Sequence, residues 1–449
     1  MAATTVTERP PGSGGTVPEN APPPESEKQY ASMAEQLETQ PNENFQTWLQ
    51  ALAAFLIYAA TWGILGTYGT YQNYYETVLL RDMSTNAISW VGTIGAILLI
   101  FGGSLTGPIY DRGWIRELLI VGSVLTVFGI MMTSLATEYW HILLAQGFCF
   151  GLGSGILSNP ALALVTISFH RHRTLALTLA TSGTTIAGII YPIILSRLFP
   201  TIGFGWATRI LGFISLAELV VALAIMLPYT GRIKESITQK RSLLALLDIS
   251  LFRDPALVGL SLSFFFMWVA YWTVSFFIPT FATFALGADN TTAYDFLVIF
   301  NACSIAGRLL AVFVSGKMSV PTSIPFFAFA TGILLLGWIG VHSIAAYYVW
   351  VVLTTVFMST LAILCPAMLA HVSPSKEVMG TRMGFAFTFT SFGVLLGTPV
   401  SSALIDVKTG SFWRMQVFLG VSMLVGSACL VFVQREIAKK ATKAKGASA

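Results

Sequence analysis

The sequence has few charged residues, and this scarcity excludes an ordinary soluble protein. Only 10% of its 449 residues are Asp, Glu, Lys or Arg, whereas soluble domains contain about 25%. A soluble chain of this length does not cover its surface with so few charges. The formal net charge is only +4 and the basic residues are scattered, so no nucleic-acid partner is expected.

Cysteine is scarce too, and the patterns that signal a metal, a cofactor or catalysis are absent. The four cysteines lie far apart within apolar runs, without the CxxC spacing of metal or redox sites, and are expected to be small packing residues; they are Cys149, Cys303, Cys365 and Cys429. The sequence also has no Walker loop and no Ser-His-Asp arrangement. We therefore expect neither an enzyme nor an ATP-driven pump, and no bound metal or cofactor.

Long apolar runs make up most of the sequence. Hydrophobic residues account for 55% of the chain, and its 39 glycines suit helices that pack closely in lipid. A membrane-spanning helix needs about 20 mostly apolar residues. Such runs predict an all-α membrane protein of twelve spans, at 47–74, 87–109, 117–136, 140–167, 174–198, 206–228, 256–284, 293–315, 322–341, 345–370, 382–404 and 412–433.

Polar segments divide the chain into five parts. Residues 1–44 are rich in Pro, Glu, Ser, Thr and Gln, do not resemble a cleaved signal peptide, and are predicted to form a disordered cytosolic tail, either a solvated leader or a regulatory segment. The polar segment 229–255 is predicted to be a cytosolic loop between two six-helix halves, 45–228 and 256–433. A basic cytosolic tail, 434–449, follows.

Lys and Arg concentrate on one side of the predicted membrane, which sets the orientation. With the N-terminus in the cytosol, the cytosolic segments contain Arg112, Arg116, Arg171, Arg173, the central loop, Lys317, Lys376, Arg382 and the basic tail. The other side contains little beyond Arg81, Arg197 and Lys408, with Arg209 and Arg414 at helix entrances. Both termini are therefore predicted to be cytosolic. The plasma membrane is the default location, and a vacuolar membrane is the alternative.

The loop at 107–116 carries the most distinctive local motif. Gly107 precedes a tight turn, and Asp111, Arg112 and Arg116 form a charged cluster between the second and third spans. This loop resembles the signature loop of the major facilitator superfamily, which implies a charge relay that closes the cytosolic side. The plainer interpretation is a basic loop that only sets topology. The second half has Ser315-Gly316-Lys317 at the matching place, so we expect an asymmetric gate.

Further segments resemble the monocarboxylate porter branch of that superfamily, in its fungal form. They occur in order along residues 45–435, at 71–76, 88–92, 169–176, 203–209, 301–308 and 380–399. Members of this branch commonly move small carboxylates together with a proton. The resemblance therefore implies a fold of two six-helix halves that rock around a site at the middle of the membrane.

Arg308 is the residue most strongly implicated in substrate binding. It matches the arginine that pairs with the substrate carboxylate in this branch, and Asn301 lies in the same motif. Arg308 lies eight residues before Gly316, which is about 12 Å along a helix. A charge at that depth is costly unless it faces a cavity or a partner. Its guanidinium group suits bidentate carboxylate binding. The alternatives are snorkelling to the interface or a structural ion pair.

Two departures from the animal members of this branch bear on the substrate. Ser304 stands where those members have an aspartate, one turn before the arginine. Their helix-one lysine is also missing, and Tyr71 and Tyr74 are among the polar residues available there instead. We therefore expect a substrate larger and more apolar than lactate.

The seventh span is rich in aromatic residues, which cannot all face lipid. In this fold the seventh helix lines the central cavity, so Trp268, Tyr271, Trp272 and Ser275 are predicted to form an apolar wall with a few polar groups. Helix packing and anchoring at the membrane interface account equally well for many of these aromatic residues.

Two further residues are candidates for specific roles. Glu218 is the only carboxylate near the middle of a predicted span, so it is a candidate for proton coupling, although a lipid-facing or purely structural glutamate is the simpler interpretation. Glu76 and Asp111 lie at membrane ends and are weaker candidates. Asn290 begins the sequence Asn-Thr-Thr, a candidate glycosylation site on the predicted outer loop.

Together these features predict a secondary active transporter of a monocarboxylate-like organic acid, coupled to protons and working by alternating access. Its expected partners are the substrate, the proton and the lipid bilayer. Export of a fungal secondary metabolite is the alternative on the same fold. A non-transporting membrane sensor is the alternative from another class, although its signalling extensions would be unusually short.

Overall fold

The computed structural model describes residues 44–111, 113–169, 172–234, 249–373, 379–406 and 409–447. Over these ranges the chain is helical, with a single isolated bridge between Asp406 and Ser411 and no strand. Residues 1–43, most of the predicted central loop (235–248) and Arg112 lie outside the described residues. The predicted all-α fold is confirmed for the part of the chain that is described.

The helices follow the predicted apolar runs. In chain order they are α1 (Phe45–Leu79), α2 (Thr85–Asp111), α3 (Ile115–Thr133), α4 (139–168), α5 (173–202), α6 (204–234), α7 (Pro255–Leu286), α8 (Asn290–Lys317), α9 (Val320–Gly337), α10 (Ile344–Val372), α11 (Met379–Ala403) and α12 (Trp413–Ala447). The ends that extend furthest beyond the predicted spans are those of α1 at Leu79, α6 at Lys234 and α12 at Ala447.

A single glycine separates α5 from α6. Eleven helical stretches of the described residues are long and apolar enough to cross a membrane, and one of them, Leu175–Thr230, has 56 residues. A helix of that length would measure about 84 Å, far more than a bilayer core of about 30 Å. Gly203 breaks this stretch with a φ of +76°, a conformation that glycine adopts without strain. The eleven stretches therefore supply twelve spans.

Consecutive helices run in opposite directions, which defines two sides of the bundle. We call the side where α1 begins at Phe45 the terminal side, because α12 also ends there. The side where α1 ends at Leu79 is the distal side. The main contacts between the first six and the last six helices are α2 with α11, α5 with α8, and α1 with α7.

The outward faces of these helices are apolar. On α8, for example, Leu309 and Val312 are each 66% exposed and Phe313 is 58% exposed. Such residues suit a lipid environment, in which exposed apolar side chains carry no cost. Inside the bundle, helices approach closely through glycine: a Cβ on Gly155 of α4 would lie 2.4 Å from the Leu98 carbonyl oxygen of α2.

Candidate functional site

Arg308 lies on the inner face of α8, between the two halves. It is half-buried, nine residues from the terminal-side end of the helix. Its Nη1 donates a hydrogen bond of 3.4 Å to the Thr181 carbonyl oxygen of α5. Among the described residues no carboxylate forms an ion pair with it. Within the described part of the chain, the guanidinium group therefore has one long hydrogen bond, to a neutral acceptor.

Small residues on α5 allow α8 to approach closely and position Arg308. A Cβ on Gly188 would lie 2.5 Å from the Asn301 Oδ1 atom, and the Thr185 and Ser304 hydroxyl oxygens are 3.5 Å apart. Asn301 is buried and donates to the Leu297 carbonyl oxygen. Asn301 thus packs against Gly188, whereas its predicted role in substrate binding stays a prediction.

The predicted aromatic wall of α7 meets Trp62 of α1. The rings of Trp62 and Trp272 stack at 6.1 Å between centroids, Trp268 and Tyr271 stack at 5.7 Å, and Tyr271 meets Trp272 edge-on at 5.7 Å. The Ser275 carbonyl oxygen packs closely against α1. These aromatic residues form one continuous surface across the contact between the two halves.

The aromatic wall and Arg308 adjoin each other. Tyr271 and Arg308 are close enough to interact electrostatically. The indole Nε1 groups of Trp62 and Trp272 have no hydrogen-bond partner within the described part of the chain. The structure therefore combines a cation, aromatic surface and hydrogen-bond donors without acceptors, a combination suited to a ligand that is apolar and negatively charged.

Tyr71 and Tyr74 do not join this group. The Tyr71 ring is buried and contacts Phe199 at 5.9 Å and Phe204 at 6.2 Å between centroids. Tyr74 contacts the same two rings, at 4.4 Å and 5.6 Å. Both tyrosines thus belong to an aromatic cluster near the break at Gly203, and their role in substrate binding stays a prediction.

Glu218 has a partner within its own half. The Tyr191 hydroxyl of α5 lies 2.8 Å from Oε1 and 2.7 Å from Oε2 of Glu218 on α6. Tyr191 is buried and Glu218 is half-buried. The carboxyl group therefore has a hydrogen-bond donor but no described cation, and its coupling role stays a prediction.

The charged motif at 107–116 is only partly described. Gly107 and Asp111 lie in the last turns of α2, and Arg116 is exposed in the first turn of α3. Gly113 has a φ of +83°, so the turn between these helices depends on glycine. Arg112 and the Asp111 side chain lie outside the described residues, and the gate stays a prediction.

Glu76 lies at the end of α1, where its side chain contacts the second half. It lies in a π-helical segment at the end of α1, Tyr75–Leu79, and π-helical segments are frequent at functional sites. The Thr280 hydroxyl of α7 donates to Glu76 Oε2 at 2.8 Å. Gln72 Nε2 donates to Glu76 Oε1 at 3.1 Å. The four-residue spacing of Gln72 and Glu76 is the sequence feature that indicates a hydrogen bond between them on one face of a helix.

More hydrogen bonds join the two halves on the same side. Asn73 Nδ2 donates to Asn290 Oδ1 at 3.0 Å. On the neighbouring pair of helices, Asn86 Nδ2 donates to the Pro399 carbonyl oxygen at 3.0 Å. We use the name distal interface for Gln72, Asn73, Glu76, Thr280 and Asn290. The described conformation is therefore closed on the distal side.

Asn290 has a structural partner in this arrangement. It is the first residue of α8 rather than part of a loop, and its side-chain oxygen accepts the hydrogen bond from Asn73. Glycosylation at Asn290 would require the amide to leave this contact, and it stays a prediction.

Comparison with known proteins gives consistent matches over most of the chain. The sequence model of the Major Facilitator Superfamily matches residues 50–340. The "MFS-type transporter dbaD" of Emericella nidulans is 35% identical over 385 residues, which cover 86% of this chain and 85% of that protein. The "Agnestins efflux protein AgnL12" of Paecilomyces divaricatus is 30% identical, over 87% of each chain. The "Aspyridones efflux protein apdF" of Emericella nidulans is 29% identical, over 86% of this chain and 77% of that protein.

Proposed function

Because this chain belongs to the major facilitator superfamily, we propose that it is a secondary active transporter that exports an apolar organic acid by alternating access. Membership of the monocarboxylate porter branch is part of this proposal. Arg308 is the observation that carries it: a half-buried arginine at the contact between the halves, without a described carboxylate partner. A buried cation of this kind is costly unless an anion joins it, and a substrate carboxylate or enolate would supply that anion.

The neighbouring aromatic residues indicate the rest of the substrate. Trp62, Trp268, Tyr271 and Trp272 offer ring faces on two helices that belong to different halves. A flat, apolar compound stacks on such surfaces far better than lactate does. The substrate is therefore a medium-sized acid with aromatic or conjugated parts.

The direction of transport is supported by the relatives. Two of them are named for the efflux of aspyridones and of agnestins. With the excess of Lys and Arg on the terminal side, the positive-inside rule favours a cytosolic terminal side. The distal side, which is closed in the described conformation, would then face away from the cytosol. Uptake of a small monocarboxylate with a proton is the second candidate, and the match of Arg308 to the porter branch favours it.

Flux in proteoliposomes tests the proposal. Purified protein is reconstituted, and the movement of labelled lactate and of a set of larger aromatic acids is followed across an imposed pH gradient. Protein-dependent movement of the larger acids supports export of a metabolite. Movement of lactate alone supports the monocarboxylate porter, and movement of none of the compounds contradicts a transport role for organic acids.

A further inference from the structure

Glu76 connects the two halves on the distal side. It lies on α1, and its Oε2 accepts the 2.8 Å hydrogen bond from the Thr280 hydroxyl of α7. Gln72, one turn earlier on α1, occupies its other oxygen. The carboxyl group is half-buried between these helices. Any motion that opens the distal side separates Glu76 from Thr280 and admits water between them.

No described cation from its own helix or from α5 and α6 compensates a charge on Glu76. Arg81, beyond the end of α1, is exposed and donates to the Thr77 carbonyl oxygen. Arg197 is exposed on α5 and interacts with Asp295. On α6, the Arg209 guanidinium carbon lies 4.9 Å from the centre of the Trp206 ring. None of these groups forms an ion pair with Glu76.

The other neighbouring helices contribute no described cation either. Asp289 and Asp295, near the start of α8, are exposed acids, and Asp289 accepts hydrogen bonds from the Thr291 and Thr292 backbone. The distal part of α7, 272–286, has no charged residue, and α2 has none before Asp111. The nearby tyrosines are neutral at physiological pH; they are Tyr68, Tyr74, Tyr75 and Tyr294.

Two further acceptors at the distal interface have no donor in the described part of the chain. Both Glu76 oxygens are acceptors, and the Gln72 Oε1 atom is a buried acceptor without a partner in the described part of the chain. The same holds for the Asn73 Oδ1 atom. A proton on the Glu76 carboxylate would add a hydrogen-bond donor beside these acceptors. It would also remove the negative charge from the contact between α1 and α7, where water is largely excluded.

We propose that Glu76 is a proton-binding site and that the distal interface closes with this proton bound. As α1 meets α7, the Glu76 carboxylate takes a proton from the distal solution and an O–H bond forms. When the helices separate, that bond breaks and the proton returns to the same solution. Because the proton enters from and returns to the distal solution, it is not carried across the membrane. It affects how readily the distal side closes, and it is separate from any coupling proton on Glu218. The inference rests on the proposed alternating-access function.

A distance measurement across the distal side tests this site without a substrate. Met83 and Thr409 are exposed on the distal side of the first and second halves, respectively. In a full-length background in which the four native cysteines are replaced by alanine, Met83→Cys and Thr409→Cys carry spin labels. The distance distribution is recorded by pulsed electron resonance in nanodiscs between about pH 5 and pH 8. If closure takes up one proton, raising the pH lowers the ratio of closed to open protein by up to about tenfold per pH unit.

Glu76→Gln is the decisive variant because it keeps the shape and removes the titration. We expect it to retain the short distance at every pH, whereas Asp295→Asn, a matched change of a neighbouring distal acid, retains the pH response. A response that persists in Glu76→Gln, or is lost in Asp295→Asn, assigns the proton to another group and overturns the proposal. A flat curve in the parent protein overturns it as well, independently of whether Glu76→Gln folds.

The same data separate this inference from the proposed function. If no organic acid moves in the flux assay but the distance responds to pH through Glu76, the proposed substrate class fails and the proton site stands. If acids are transported and the distance is insensitive to pH, the proton site fails and the transport proposal stands.

Discussion

Arg308 of α8 donates a 3.4 Å hydrogen bond to the backbone carbonyl oxygen of Thr181 on α5, across the boundary between the two halves of the protein. This bond is long for an arginine and engages a neutral acceptor, so it satisfies little of the guanidinium group. An incoming carboxylate competes easily with such a partner. On the proposed function, Arg308 would exchange this hydrogen bond for one to the substrate carboxylate.

Replacement of Arg308 should weaken binding of an acidic substrate. Arg308→Ala removes a charged hydrogen-bond donor and should lower affinity about 10- to 100-fold. Arg308→Lys keeps the charge but loses the planar fork, so an intermediate loss is expected. Equilibrium binding of a transported acid to purified protein measures both. Arg209→Ala, which removes a distal arginine that lies beside Trp206, is the control and should bind normally. Equal affinity in Arg308→Ala and the parent protein would rule out the assignment.

Gly183 should be intolerant of even one methyl group. An alanine Cβ there would lie 2.1 Å from the Phe55 carbonyl oxygen of α1, and a backbone atom cannot move aside easily. Gly183→Ala should therefore destabilise the protein by about 1–3 kcal/mol, as measured by unfolding in a mixed detergent titration. Gly316→Ala, with no atom within 4 Å of the new Cβ, should change stability by less than about 0.5 kcal/mol. Equal effects of the two changes would contradict the close approach of α1 and α5.

The Arg382–Asp254 ion pair should stabilise the terminal side of the second half. Arg382 Nη1 lies 2.8 Å from Asp254 Oδ2, with the side chains only 11% and 15% exposed, and the pair joins the starts of α7 and α11. Asp254→Asn should cost about 1–3 kcal/mol because a buried charge loses its partner. Glu436→Gln breaks the Lys439–Glu436 pair, in which Glu436 is 17% exposed but Lys439 is 72% exposed. The lysine left without its partner stays in contact with water, so this change should cost less than about 0.5 kcal/mol. A larger loss of stability for Glu436→Gln than for Asp254→Asn would show that burial of the remaining charge does not decide the cost of breaking these ion pairs.

Glu218 should couple transport to protons if its hydrogen bond with Tyr191 is functional. Glu218→Gln removes the titrating group, so transport should continue without a response to an imposed pH gradient. Tyr191→Phe removes the donor that lies within 2.8 Å of both carboxyl oxygens and leaves the acid, so a gradient response should remain with an altered pH dependence. Initial rates in proteoliposomes, with and without the gradient, measure both. An unchanged gradient response in Glu218→Gln would leave Glu218 a structural residue.

The sequence alone predicts the helices well because apolar length is a local property. Each predicted span lies within one observed helix apart from small shifts at the ends, and the predicted break between the fifth and sixth spans surrounds Gly203. The arginine on α8 and the aromatic residues on α7 were identified because charge and ring density within a span are also local. Their proximity, through Tyr271 and Arg308, depends on how α7 and α8 pack and is visible only in three dimensions.

The contacts of the distal interface could not be predicted from the sequence, for one physical reason. The first predicted span ends at residue 74, but α1 continues to Leu79 as a π-helical segment. The apolar run that predicts the span does not extend over this segment. Glu76 lies beyond the predicted end of the first span, and its hydrogen bond with Thr280 is visible only in three dimensions. Asn290 was likewise placed in a loop. Hydrogen bonds between distant segments decide both positions, and local sequence patterns do not reveal which segments meet.

The most direct test of the central claim compares an acid with its neutral counterpart. Protein-mediated flux of a labelled aromatic acid and of its primary amide is measured in proteoliposomes, with protein-free liposomes and Arg308→Ala as controls. We predict that the protein moves the acid, that it does not move the amide above the protein-free rate, and that Arg308→Ala loses the acid flux. Equal transport of acid and amide, or undiminished acid flux in Arg308→Ala, would contradict recognition of an anionic substrate by Arg308.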